Sequence, residues 1–318
     1  MRATAAAGSA LALLSFGCFA HQYRVNPRVA TVDGDAIVQM KPQGELPSAL
    51  EAKLVPALMH SDRPDEFDRM IGLVIGSQAR AYPIGLLDRF EVVDDSAGDF
   101  SFVVARCALT GIVAVYSRRV EGRDLSFENS GALWRDTLVL RDRETGTYWT
   151  AATGRALSGP LAGARLEAVP APVTRVEFWE RAYARPFYLD LDSSTIVPLT
   201  MRLYEASPAQ GVSGARTADR RHKPKEELFV LREGDEAVAL TEEEVRARSP
   251  VTAALGGKRI TIEWDAALET PRAFEDGPPR AERALIPMYW FALDLHFATV
   301  RTLADLEEEG ASSPAAAR

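Results

Sequence analysis

The chemistry open to this sequence begins with one thiol. Of its two cysteines, Cys18 and Cys107, the first lies in an apolar N-terminal stretch laid out like an export signal, which leaves Cys107 without an intramolecular partner. A lone thiol in an exported chain has two readings. It is a reactive group, because such compartments favour disulfides, or an apolar strand residue, since free cysteine is among the most buried residue types. Glu91, Asp94 and Asp95 would offer an acid, a base or metal ligands if folded beside it. Equally, Val92-Val93-Asp94-Asp95 before a glycine reads as a strand entering a turn. The four histidines, His21, His60, His222 and His296, contain no pair spaced for a zinc-binding helix, so no metal ligand set is expected. A cut after Ala20 would make His21 the N-terminus, where amine and imidazole together chelate copper; chance explains that position as well. Neither Gly-x-Ser-x-Gly nor a phosphate-cradling loop occurs, which disfavours a common hydrolase or nucleotide enzyme. The sequence names no cofactor. Trp134, Trp149, Trp179, Trp264 and Trp290 read as core or pocket lining.

These groups must be positioned by strands. From Ile71 onward, short runs rich in Val, Ile, Tyr and Phe alternate with Gly, Asp and Asn, the pattern of hairpins. Residues 72–82 read as two strands about a tight turn, 100–106 and 112–118 as a second pair, and 125–127, 137–141 and 148–150 continue the series. Helical spacing is scarce: 176–183, 240–248 with Thr241 and Glu244 as a capping box, and 288–296. Residues 79–82 echo 237–240, and 98–104 echo 256–262, both at an offset of 158. Phe178-Trp179 and Tyr289-Trp290 also correspond. At that offset Cys107 meets Asp265, so thiol chemistry belongs to the first copy alone. The fold class expected is mainly β with a few short helices, β-rich α+β, in two related β lobes from an internal duplication; chance likeness of hairpins is the alternative.

The chain has 318 residues, 47% of them hydrophobic and 26% charged, with a formal net charge of −8. That is an ordinary globular composition, and the acidic balance argues against a nucleic-acid partner. The expected organisation is a signal peptide at 1–20, an N-terminal extension at 21–54, a first lobe at 55–204, an exposed linker at 205–226, a second, reduced lobe at 227–303 and a disordered tail at 304–318. The basic run 220–225 in the linker reads as solvated, with an anionic partner as its rival. Export to the periplasm or beyond is expected, with lipidation at Cys18 or an uncleaved N-terminal anchor as alternatives. No transmembrane segment follows the signal region.

Several motifs then fall in a recognisable order: Ala79-Arg80-Ala81-Tyr82-Pro83, Glu91-Val92-Val93-Asp94-Asp95, Cys107-Ala108-Leu109-Thr110-Gly111, Ser130-Gly131, Asp136-Thr137-Leu138-Val139 and Asp142 through Trp149. With 153–163 they resemble the bacterial family catalogued as domain of unknown function 3179, across roughly 55–303. The resemblance implies an exported protein with no established reaction. Relatives carry Cys-Pro-Leu followed by Cys or Thr at the position of 107–110, and some are selenoproteins, which implies redox chemistry. Cys107 and Thr110 are then the candidate catalytic pair, with Arg106 as the cation that stabilises a thiolate and peroxide oxidation to a sulfenic acid as the first step. Ser130 and Asp136 match family positions near the same pocket. Three departures matter: Ala108 for Pro, Phe90 where relatives have His, and Asp94 for Asn. Two functions follow. One is a thiol site for redox chemistry or small-ligand capture. The other is a non-enzymatic binding or structural module of the cell envelope with Cys107 buried. The partner is an unidentified small molecule or envelope protein.

Overall fold

The computed structural model describes residues 24–60, 64–65, 68–191, 199–214 and 216–311. Residues 1–23, with Cys18, His21 and the expected signal peptide, lie outside them. Strands hold 44% and helices 15% of the chain, so the protein is mainly β. Among the described residues, no helix is long and apolar enough to cross a membrane.

In the first lobe, Arg69–Ile75 and Gln78–Pro83 form the hairpin read from the sequence. Val173–Arg175 flanks it antiparallel on one side, and Phe187–Leu189 runs parallel on the other. A second sheet, Val92–Ala97, Phe100–Cys107 and Ile112–Ser117, is antiparallel throughout. A third sheet of six strands holds Phe127–Trp134 and Thr137–Asp142 at its centre. Arg24–Ala30 and Ala36–Gln39 complete one edge of it, so the N-terminal extension belongs to this lobe.

The second lobe repeats the order of pairing. Glu227–Glu233 and Glu236–Leu240 form the hairpin, Ile286–Tyr289 flanks it antiparallel and Thr299–Arg301 parallel. Val251–Leu255, Lys258–Asp265 and Thr270–Glu275 make the second sheet. Strand starts at 69, 78 and 100 in one lobe meet 227, 236 and 258 in the other, the same offset of 158. Each antiparallel flanking strand runs into a helix, Val176–Ala182 or Trp290–His296. The six-stranded sheet has no counterpart in the second lobe among the described residues.

Local chemistry explains the elements that the sequence reading placed and those it missed. Glu242–Arg248 starts with the expected reciprocal cap between Thr241 and Glu244. Residues 304–311 were expected to lack structure, yet Leu303–Ala311 is a helix. Its start has one half of that device, because Asp305 accepts from the Thr302 N–H and hydroxyl at 2.7 and 2.8 Å. The lobes share their largest core cluster, in which Cys107, Tyr116 and Trp149 pack with Val230, Met288 and Trp290, while Leu231, Val245 and Ile262 belong to a cluster of the second lobe alone. Each large side chain buried there contributes on the order of 2 kcal/mol.

Candidate functional site

Cys107 ends a strand that turns at Gly111 and returns as Ile112–Ser117. Gly111 has φ +75°, and a Cβ there would lie 2.8 Å from the Tyr289 ring, so both backbone and space demand glycine. The Tyr289 N–H closes the turn on the Thr110 carbonyl at 2.8 Å. Cys107 is 1% exposed. Its sulfur accepts from the Leu138 N–H at 3.4 Å and its S–H faces the Asp136 carbonyl at 3.9 Å. Thr110 is fully buried beside it.

A chain of hydroxyls leads away from the thiol. Thr137 Oγ1 lies 3.5 Å from Thr110 Oγ1 and 2.6 Å from Nε2 of His296. Burial, reinforced by the neighbouring Arg135 guanidinium, pushes the imidazole down to about 3. Burial and the charge of Glu91 push the thiol up from its ordinary 9.0, against the pull of Thr110 and the Leu138 N–H. Both shifts disfavour moving the proton from sulfur to ring. The resting pair is therefore neutral thiol and neutral imidazole, not thiolate and imidazolium.

The other candidates sort by distance and partner. Arg106 lies on the opposite face of its strand from Cys107. It is held by Asp88 at 2.8 Å and the Gly111 carbonyl at 2.9 Å, so it is no counter-cation for sulfur. Glu91 is the one carboxylate that acts on the thiol; burial raises it to about 7, against a 2.6 Å bond from Asn129 and the charge of Arg106. Asp94 pairs with Val103, four residues down the ladder from Cys107 and so about 13 Å away. It is fully buried and raised to about 7 by that burial, with Arg118 and the Phe127 N–H opposing. Asp95 accepts from Arg80 at 2.7 Å and the Tyr82 hydroxyl at 2.5 Å, a structural knot away from the thiol. Ser130 bonds the Val139 carbonyl at 2.6 Å and serves its own sheet.

Asp136 has a different task. With Arg135 it forms a two-residue turn in which φ is +60° and +50° respectively, left-handed backbone that neither residue favours. Its carboxylate fastens the segment expected to be an exposed linker. Val212 and Ser213 N–H groups donate to Oδ1 at 2.8 Å each, and Ser213 Oγ to Oδ2 at 2.5 Å. Gly211 passes so close that a Cβ would meet the Asp136 carboxylate at 2.4 Å. Tyr204, in the helix Leu199–Ala206, donates to the Leu109 carbonyl at 2.6 Å and accepts from the Gly211 N–H. Lys225 holds the Ser207 carbonyl at 3.1 Å and sits over the Tyr204 ring. Residues 204–213 are thus a strap over the Cys107 turn.

A cleft of about 610 Å³ opens on the other side of His296, bordered by Asp33, Asp35, Arg135, Arg155 and Asp294. Sequence reasoning missed His296 and Thr137 as a pair; they lie 159 residues apart, and no local pattern links them. His60 bonds the Leu189 carbonyl, and His222 pairs with Glu226 and packs on Trp290, so neither joins this cluster. Among the described residues, no group of three His, Cys, Asp or Glu is placed to hold a metal.

Residues 43–310 match the family described as protein of unknown function (DUF3179). The chain belongs to that family. The DUF3179 match covers the hairpins, the thiol turn, the strap and the second lobe alike. No curated protein and no solved structure matches the chain.

Proposed function

We infer that this DUF3179 protein is a small-molecule binding module that works outside the cytoplasm, and that Cys107 is a buried structural thiol. One observation carries the reading: Cys107 is 1% exposed, its sulfur held between Leu138 and Asp136, and the imidazole at the far end of the hydroxyl chain is too weakly basic to take its proton. A poised nucleophile needs access and a cation or base beside it. Here the cation Arg106 is bound to Asp88. The cleft above His296 gives the module a place to bind. Export is supported by the apolar stretch 3–20 after Arg2 and its small residues at Cys18 and Ala20.

Alkylation with iodoacetamide in a Cys18→Ala background tests the thiol. Labelling of Cys107 is expected only on unfolding in urea; fast labelling of folded protein, with a midpoint below about 8.5, contradicts the reading. Fractionation and N-terminal sequencing test export, with a mature chain starting at His21 expected and an intact chain in the cytoplasm opposing it.

A second reading, thiol capture under a movable strap, is favoured by the hydroxyl chain from Cys107 through Thr110 and Thr137 to His296. Lifting the strap would admit water and a reagent to the Cys107 turn, and the rise in polarity would bring thiol and imidazole back toward ordinary values.

A further inference from the structure

The cleft over His296 contains two buried nitrogen atoms with no hydrogen-bond partner, Nδ1 of His296 and Nε1 of Trp134. Both side chains line it, are 7% and 4% exposed, and have ring centroids 5.4 Å apart. Leaving a buried donor or acceptor unsatisfied is unfavourable, so two orphans on one wall point to a group that completes them. Nε2 of His296 is already committed to Thr137, which leaves Nδ1 for whatever enters.

The charges around them define what fits. Four carboxylates, of Asp33, Asp35, Asp235 and Asp294, and three guanidiniums, of Arg135, Arg155 and Arg165, border the cleft. Arg135 binds Asp35 at 2.6 Å, and Arg155 binds Asp33 at 2.9 Å. With the pairs matched, Arg165 stands against Asp235 and Asp294, and the imidazole is neutral. The one carboxylate left in excess disfavours a phosphate or a dicarboxylate, and among the described residues the carboxylates do not converge on a cation site. The wall instead carries both acceptors, from carboxylate lone pairs, and donors, from guanidinium and indole N–H groups. Hydroxyl groups, which donate and accept at once, match that mixture. The volume of about 610 Å³ lies within the usual span for small-molecule sites.

We propose that this cleft binds a neutral, hydroxyl-rich small molecule, a mono- or disaccharide, through Trp134, His296 and the flanking Arg–Asp pairs. The assignment rests on reading the protein as a binding module and names what that module takes.

The test uses the purified protein with ¹⁵N in its tryptophan indoles, the Trp134 signal being assigned by Trp134→Phe. Glucose, maltose and lactose are titrated to about 50 mM, well past a millimolar Kd, with inorganic phosphate beside them. At least one sugar is expected to shift the Trp134 indole saturably while phosphate does not. Arg165→Ala and Asp235→Ala, both at exposed positions, are expected to weaken that sugar about fivefold each, the effect of one lost hydrogen bond. A shift with phosphate alone overturns the proposal in favour of an oxyanion site; no shift with any sugar, or unchanged affinity in both variants, overturns it outright. If the sugars fail while Cys107 labels only on unfolding, the binding-module reading stands and the ligand class falls. If Cys107 labels fast in the folded protein, the reading beneath it falls instead.

Discussion

At the residue scale, burial decides what each ionisable group does. Asp94 shifts from 3.8 to about 7 and Glu91 from 4.5 to about 7, both because folding removes water from the charged form. A carboxyl raised in this way keeps its proton in the fold while the unfolded chain releases it. Its stabilising contribution is complete below the unfolded value and fades as pH rises through about 7. His296, lowered from 6.5 to about 3, acts in the opposite sense, favouring the fold as pH rises across that window. The wild-type profile therefore mixes opposed slopes, and a difference experiment is needed. Asp94→Asn should remove one carboxyl's share, a loss on the order of 3 kcal/mol between about pH 4 and pH 8. Urea midpoints of wild type and variant should converge or cross as pH rises; parallel profiles would contradict the shift. Asp94 stands out in the sequence because the family pattern has Asn there, but its burial and its bond to Arg118 emerge only in the fold. Cys107 was legible as unpaired, and its depth emerged only in the fold.

At the scale of elements, turns govern access to the thiol. Hairpins were readable because glycine and alternating apolar residues mark them, as at Gly76 and Gly98, both with φ 60°. The strap was not readable: its composition is that of a loop, and what holds it is a carboxylate some 76 residues earlier in the chain. Ser213→Ala, which removes the hydroxyl's bond to Asp136 and leaves the two backbone bonds, should raise the labelling rate of Cys107 severalfold while destabilising the fold by no more than about 1 kcal/mol in urea unfolding. Unchanged labelling would count against the second reading. Gly111→Ala meets both a left-handed φ of +75° and the Tyr289 ring at 2.8 Å. A loss of about 2 kcal/mol or more is expected in urea unfolding; a loss near that of an exposed glycine would show that the ring moves aside freely.

At the scale of the whole molecule, the two lobes repeat an order of strands and, beside clusters of their own, share a large core cluster. The 158-residue echo was visible in the sequence because hairpin glycines and apolar alternation recur in register. The shared cluster of Trp149 with Val230 and Trp290 was not, since nothing in a sequence tells which apolar faces meet. A joint core predicts one cooperative unfolding transition by calorimetry, with equal calorimetric and van't Hoff enthalpies; two resolved transitions would mean that the lobes unfold independently. The same arrangement brings His296 from the second lobe to Thr137 of the first, so thiol, hydroxyls and imidazole meet only in the assembled molecule. Their protonation is the central claim, and the infrared S–H stretch of Cys107 in the folded Cys18→Ala protein reads it directly. The band should persist unchanged from about pH 5 to about pH 9, beyond the midpoint of a free thiol. Its disappearance below about pH 8 would show a thiolate in the resting fold and contradict the account.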